Sequence, residues 1–200
     1  MTQDRTSENS SQSQGLAAGN CDKIVAALDR PLILIGMMGS GKSRVGQYLG
    51  AALNLPYIDS DQEIERACGC TIADYFSRYG EDAFRDGEHR VLTRLLDGTP
   101  KIISAGGGIV VREANRALLK QRSIPVWLQA DVPVLVARCA GNDRRPLLQD
   151  GDPHAILAGI LDKRLNLYAE TAILTADSNH EDAQETVREV LDALKRYLKV

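Results

Sequence analysis

No stretch of this 200-residue chain approaches the roughly 18 consecutive apolar residues that a membrane span demands. The first residues also lack the apolar core of a secretory signal, so neither a membrane-bound nor an exported protein is expected. Basic residues are not in excess: 24 Lys and Arg face 27 Asp and Glu, for a net charge of −3. That is the wrong sign for bulk binding to a nucleic-acid backbone. Cysteine is scarce, at Cys21, Cys68, Cys70 and Cys139. Four thiols are no disulfide framework at this length, and Cys68-Gly-Cys70 has no second Cys/His pair to complete a zinc site. Reduced thiols in a cytoplasmic protein are expected. The three histidines, His89, His154 and His180, are far apart in sequence and suggest no metal cluster. What the chain does have is core: 44% apolar residues over a length of about 1.3 typical domains, so one folded domain is expected.

The apolar residues are unevenly spread. Residues 1–20 carry four Ser and three Gln, with Leu16 their only large aliphatic beyond Met1. Such a segment cannot offset its ordering entropy by burial. A disordered tail is expected over residues 1–28, clearest over 1–20, followed by a single domain over 29–200. From Pro31 onward, short apolar runs alternate with segments of helical period. Strands are expected at Leu32–Ile35, Tyr57–Ile58, Lys101–Ser104, Ile124–Leu128 and Ala172–Thr175. Helices are expected over Ser43–Leu53, in stretches from about Ser60 to Leu96, after the cap-and-proline signals Asp131/Pro133 and Asp152/Pro153, and at the C-terminus. In the last of these, Val187, Val190, Leu191, Leu194 and Leu198 share one face. This alternation implies an α/β protein, a parallel sheet covered by helices on both sides. Ligands of such sheets lie beyond the carboxyl ends of the strands.

The sharpest motif sits at such an end. Gly36-Met-Met-Gly39-Ser40-Gly41-Lys42-Ser43 fits G-x-x-x-x-G-K-[ST] between an expected strand and an expected helix. At this composition the pattern would arise by chance about 0.005 times in the chain. Its glycines let backbone N–H groups curl around phosphate oxygens, and the helix N-terminus adds partial positive charge. Lys42 is suited to the β- and γ-phosphates of ATP, and the Ser43 hydroxyl to Mg²⁺. No N-K-x-D guanine-reading segment is present, which disfavours a GTPase.

The other motifs concern the acceptor. Asp59-Ser60-Asp61 follows the second short strand, and on an extended segment both carboxylates would point the same way. They suit a metal-side contact and a substrate hydroxyl, or equally a helix N-cap with a neighbouring acid. Arg85, in Phe84-Arg85-Asp86-Gly87-Glu88, is either a ligand-binding cation or half of a solvated i, i+3 pair with Glu88. Gly106-Gly107-Gly108 ends the third strand, where close approach of a small polyhydroxy ligand or a tight loop would require glycine. Arg138, Arg144 and Arg145 cluster in the basic segment 138–148, whose Gly/Asn/Asp-rich part suggests a mobile lid over about residues 140–152 or a solvated loop. Arg164 follows, in Arg164-Leu-Asn-Leu-Tyr168.

In this order, and from about Pro31 to Leu198, these six motifs resemble the shikimate kinase family. The resemblance implies a three-layer P-loop kinase fold with a five-stranded parallel sheet ordered 2-3-1-4-5, and a monomer acting on a small molecule. It implies phosphorylation of the 3-hydroxyl of shikimate by Mg²⁺-dependent use of ATP, a step toward aromatic amino acids. Carried onto this sequence, Gly39, Ser40, Gly41, Lys42, Ser43, Arg44, Arg138 and Arg145 would hold the nucleotide. Lys42, Asp61 and Arg145 would be catalytic. Asp61, Arg85, Gly106, Gly107, Gly108 and Arg164 would bind shikimate, the two arginines by its carboxylate. Ser43, with Asp59 in the outer shell, would serve the metal. An Asp61 of ordinary pKa, about 4, would orient the hydroxyl first and accept its proton late. The chain departs from the family pattern at Arg44, which replaces a small residue, and at Asn166, which replaces proline. His180 and Glu181 stand where some members place a basic adenine contact, so no such contact is carried over.

Overall fold

The computed structural model describes residues 21–140 and 151–200. The tail expected over residues 1–20 lies outside them, as do Arg144, Arg145 and most of the connection expected to act as a lid. A first helix, α1 (residues 21–27), precedes β1 (Leu32–Ile35), and the chain continues α2 (Lys42–Leu53), β2 (Tyr57–Asp59), α3 (Ser60–Cys68) and α4 (Ile72–Leu95). Then come β3 (Ile102–Ser104), α5 (Glu113–Arg122), β4 (Ile124–Gln129), α6 (Val132–Cys139), α7 (Pro153–Thr171), β5 (Leu174–Asp177) and α8 (Ala183–Leu198).

All strand pairings are parallel, in the order β2-β3-β1-β4-β5. The aliphatic run of β1 is buried on both faces because it is the central strand. Its alternate residues feed two cores. Ile33 and Ile35 join Ile103, Trp127, Leu92, Leu119 and Leu157 on one side, toward α4, α5 and α7. Leu32 and Leu34 join Val126, Leu128, Leu49, Val190 and Leu194 on the other, toward α2 and α8.

Most element ends fall within a residue of the sequence reading, and two boundaries differ by more. The tail was expected to reach residue 28, but residues 21–27 are helical, and Ile24 and Leu28 are 0% and 6% exposed in the second core. Their spacing of four places both on one helix face, a signal too short to stand out beside the polar segment before it. The fifth strand, expected at Ala172–Thr175, lies two residues later. The α7 backbone ladder continues to Ala172, whose N–H donates to Tyr168 O, and Val126 pairs with Leu174.

Gly80, with φ 78°, breaks α4 into two helical pieces. Asp59, Thr71, Asp152 and Asp182 cap α3, α4, α7 and α8 by accepting backbone N–H groups. Asp131 stands at the N-cap position of α6 without a side-chain cap bond.

Candidate active site

The loop from β1 to α2 takes backbone conformations that side chains resist: Gly36, Gly39 and Gly41 have φ of 142°, 81° and 81°. A Cβ on Gly36 would stand 2.7 Å from Leu128 O, so this glycine also permits contact with β4. The loop wraps back on itself, with Lys42 Nζ donating to Gly36 O and Met37 O at 2.8 and 2.7 Å. The ammonium is thus held over the loop at the N-terminus of α2, where phosphate oxygens would lie. Ser40 is fully buried beneath it.

Asp59 caps α3 and at the same time faces the phosphate loop. One carboxylate oxygen caps α3, accepting from the N–H groups of Asp61 and Gln62. The other accepts from Ser43 Oγ at 3.2 Å, Ser104 Oγ at 3.0 Å and Tyr57 OH at 3.4 Å. A hydroxyl and a carboxylate side by side at the mouth of the phosphate loop are a hard-oxygen donor set that fits Mg²⁺. Asp61 does not share an extended segment with Asp59, as had been expected. It lies in the first turn of α3 and turns toward Gly106, where a Cβ would meet its Oδ1 at 2.5 Å. Burial, then the nearby charge of Asp59, push its pKa up to about 6, against the pull of Lys42. The ordinary carboxylate assumed from sequence is thus a better proton acceptor than expected.

The glycine turn after β3 is the hinge of the arrangement. Gly106 N–H donates to Ser60 Oγ. Gly107 packs on the phosphate loop, and its carbonyl accepts from Tyr168 OH at 2.5 Å and Arg164 Nη1 at 3.3 Å. A Cβ on Gly108 would stand 2.6 Å from the Arg85 guanidinium. Asp61, Arg85 and Arg164, from α3, α4 and α7, therefore all converge on three consecutive glycines. Arg85 does pair with Glu88, at 3.0 Å, but the pair is no solvated decoration. Glu88 is 2% exposed, and burial raises its pKa although Arg85 and then Arg164 oppose the shift. Phe84, Glu81 and Glu88 fix the Arg85 fork from three sides.

A cavity of about 580 Å³ runs beside the loop, lined by Gly39, Gly41, Lys42, Ser43, Arg44, Asp59, Asp61, Gly106, Gly107 and Arg138. Ser178, Glu181, Ala183 and Thr186 also line it; of these the sequence marked only Glu181, at a position from which no nucleotide contact was carried over. They reach it through β5 and the N-terminus of α8, which only the sheet order brings there. Arg44 lies over the Tyr48 ring, within 5.8 Å of its centroid. The i, i+3 pairing of Arg85 with Glu88 was legible but its burial was not, and Tyr168 was legible as a motif member but not as the partner of Gly107.

Comparison with known proteins agrees with this geometry. The family model for shikimate kinase matches residues 38–195. The shikimate kinase of Paramagnetospirillum magneticum is 44% identical over 171 residues, covering 86% of this chain and 87% of that protein. That of Rhodopseudomonas palustris is 45% identical over 177 residues, covering 88% and 87%. Among solved structures, shikimate kinase from Acinetobacter baumannii in complex with shikimate superposes with a TM-score of 0.80 at 35% identity, covering 88% of this chain and 97% of that one. The Aquifex aeolicus enzyme gives 0.73 at 31%, covering 84% and 97%. A gluconokinase from Sinorhizobium meliloti, at 0.54 and 20% identity over 86% and 95%, shares the fold alone.

Proposed function

The chain belongs to the shikimate kinase family, and from that membership we infer that it transfers the γ-phosphoryl group of ATP to the 3-hydroxyl of shikimate. The products are shikimate 3-phosphate and ADP, in the route to aromatic amino acids. The observation that carries the reading is the convergence of Asp61, Arg85 and Arg164 on Gly106–Gly108, against the phosphate loop.

The residues divide the work as follows. The cavity holds ATP with its phosphates under the N–H groups of Gly39 to Ser43 and beside Lys42. Ser43 and Asp59 would hold Mg²⁺, which when bound neutralises phosphate charge. Arg85 and Arg164 grip the shikimate carboxylate through charge-assisted bonds, and the bare glycine backbone admits the ring. Asp61 orients the attacking hydroxyl and takes up its proton as the bond to phosphorus forms. Phosphoryl transfer is mostly positioning and charge neutralisation, so such a base completes the step rather than driving it. Arg138 borders the base of the nucleotide. Arg145, outside the described residues, would bring a further cation to the phosphates. The net charge of −3 accords with a protein that does not bind a nucleic-acid backbone, and the family resemblance implies a cytoplasmic monomer.

A coupled assay of ADP release tests the reading, with shikimate, gluconate and nucleoside monophosphates as alternative acceptors. Turnover with shikimate alone is expected. Equal or faster turnover with gluconate would overturn the acceptor assignment.

A further inference from the structure

The segment after β5 braces the nucleotide cavity. Ser178 Oγ donates to Ser40 O at 2.8 Å, and Ser178 N–H to Gln129 O at 2.7 Å, so the segment is tied to the phosphate loop and to β4. Arg138, from α6, donates Nη1 to Ser178 O at 2.7 Å and Nη2 to His180 O at 2.5 Å. The stance of the Arg138 guanidinium is therefore set by two carbonyls of this segment. Arg138, Ser178 and Thr186 line the same cavity as Lys42.

One side chain anchors the segment to α8. His180 Nδ1 lies 3.0 Å from Glu185 Oε2, and Nε2 lies 2.8 Å from Glu189 Oε1 and 3.9 Å from Asp177 Oδ2. Both ring nitrogens thus face carboxylates, which only accept hydrogen bonds. A neutral imidazole has one N–H and satisfies one side; the imidazolium satisfies both. We propose that His180 is a positioning residue for the nucleotide: as the imidazolium it clamps residues 178–182 to α8, aims Arg138, and weakens nucleotide binding when its proton leaves.

The surrounding charges agree. The hydrogen bond to Glu189, then the nearby charges of Asp177, Glu189 and Glu185, raise the His180 pKa above its ordinary value, while burial opposes them. A raised histidine pKa means the clamp holds at low pH and is lost as pH rises through the folded-state value. Deprotonation leaves Asp177, Glu185 and Glu189 facing one another across a neutral ring, with Glu181 and Asp182 adjacent in the loop. Among the described residues, Arg188 is 3.7 Å from Glu185, and Arg138 donates to the loop carbonyls of Ser178 and His180.

The inference rests on the cavity being the nucleotide site, so the test reads nucleotide binding without the acceptor. Mg²⁺·ADP is titrated calorimetrically into wild type, His180→Gln and His180→Lys from about pH 6 to about pH 9, a range spanning the histidine transition. Changes in the nucleotide itself are common to all three. At the acid end His180→Gln should bind roughly fivefold or more weakly, the lower end of couplings carried through packed contacts. Its affinity relative to His180→Lys should not vary with pH, and His180→Lys, a lasting cation, should stay tight. Wild type should move from the Lys behaviour to the Gln behaviour as pH rises. KM for shikimate and kcat at saturating ATP should be unchanged in both variants. The proposal is overturned if His180→Gln matches wild type at every pH, or if it loses shikimate and ADP affinity alike. If wild type binds no Mg²⁺·ADP, the nucleotide reading itself fails and this inference with it, whereas ADP binding without shikimate turnover touches only the acceptor assignment.

Discussion

Asp61 carries the largest chemical consequence of any single residue. Its pKa of about 6 comes first from burial, so the folded state holds its proton at pH values where the unfolded chain has released it. The sign follows: this group favours folding at low pH, and that contribution is lost as pH rises through about 6. Asp61→Asn should therefore flatten the dependence of Tm on pH between about pH 4 and about pH 7. In the wild type, kcat/KM for shikimate should fall on the acid side of a pKa near 6 as the carboxylate is protonated. On the proposed function, Arg85→Ala and Arg164→Ala would remove charged partners of the substrate carboxylate. Each should cost about 1.5–3 kcal/mol, roughly tenfold to over a hundredfold in KM for shikimate, with KM for ATP nearly unchanged. Arg85→Ala should also lower Tm at neutral pH, because it strands the buried Glu88 carboxylate; Arg164→Ala should do so less. Lysine at either position should rescue only in part, since a point charge cannot supply a fork. Steady-state kinetics with each substrate varied in turn decides this, and a rise in KM for ATP alone would sink the assignment. Lys42→Met should abolish turnover while the protein still folds and melts cooperatively, since on the proposed function its ammonium acts on phosphates and within the structure it meets loop carbonyls rather than the core.

Between elements, the glycines separate fold from function. A methyl at Gly106 would press on the Asp61 carboxylate, a mobile group, whereas one at Gly36 would press on a backbone carbonyl of β4 at a φ of 142°. Gly106→Ala should thus cut kcat severely while the protein still melts cooperatively near the wild-type Tm. Gly36→Ala should lower Tm or prevent folding. Thermal denaturation beside kinetics distinguishes the two, and equal losses of Tm in both would refute the contrast. Both glycines were legible in the sequence, Gly36 because a phosphate cradle demands local residues at fixed spacing and Gly106 because it opens a run of three glycines after a strand. The same holds for Leu32–Ile35, which the central place of β1 buries on both faces. Legibility ended where partners come from distant elements. The i, i+3 spacing foretells Arg85 beside Glu88, but nothing near Glu88 foretells that Asn115 meets it and helps to bury it, nor near Ser178 that its hydroxyl meets Ser40. At β5 the apolar run misled at its start: Ala172 still closes the α7 ladder, and the register with β4 begins at Leu174, although Ile173 N–H already donates to Pro125 O.

At the scale of the whole molecule, strand–helix alternation foretold the parallel sheet but not its order. Order depends on which crossovers bury Ile33 and Ile35 on one face and Leu32 and Leu34 on the other, and periodicity does not encode that choice; family resemblance supplied it. The N-terminal boundary shows the same limit. Composition marks residues 1–20 as poor in anything to bury, yet eight residues later the second core is already closed by Ile24 and Leu28. Two truncations should therefore behave differently. Removing residues 1–20 takes away one large aliphatic beyond Met1, and both kcat and Tm should stay close to those of the full chain. Removing residues 1–28 opens the layer formed with Leu32, Leu53 and Leu194, and strips cover from the face of the sheet against which α2 and α8 pack. Truncating a single such buried aliphatic typically costs about 2–5 kcal/mol, so losing both should lower Tm by many degrees and leave little folded enzyme at 37 °C. The full-length variant Ile24→Ala isolates packing from chain length and should show a smaller drop of the same sign. Melting curves of the three proteins, with ADP release measured on the soluble fraction, make the comparison. A shorter truncation as damaging as the longer one would show that residues 1–20 pack on the domain; an Ile24→Ala protein as stable as wild type would show that the first helix does not.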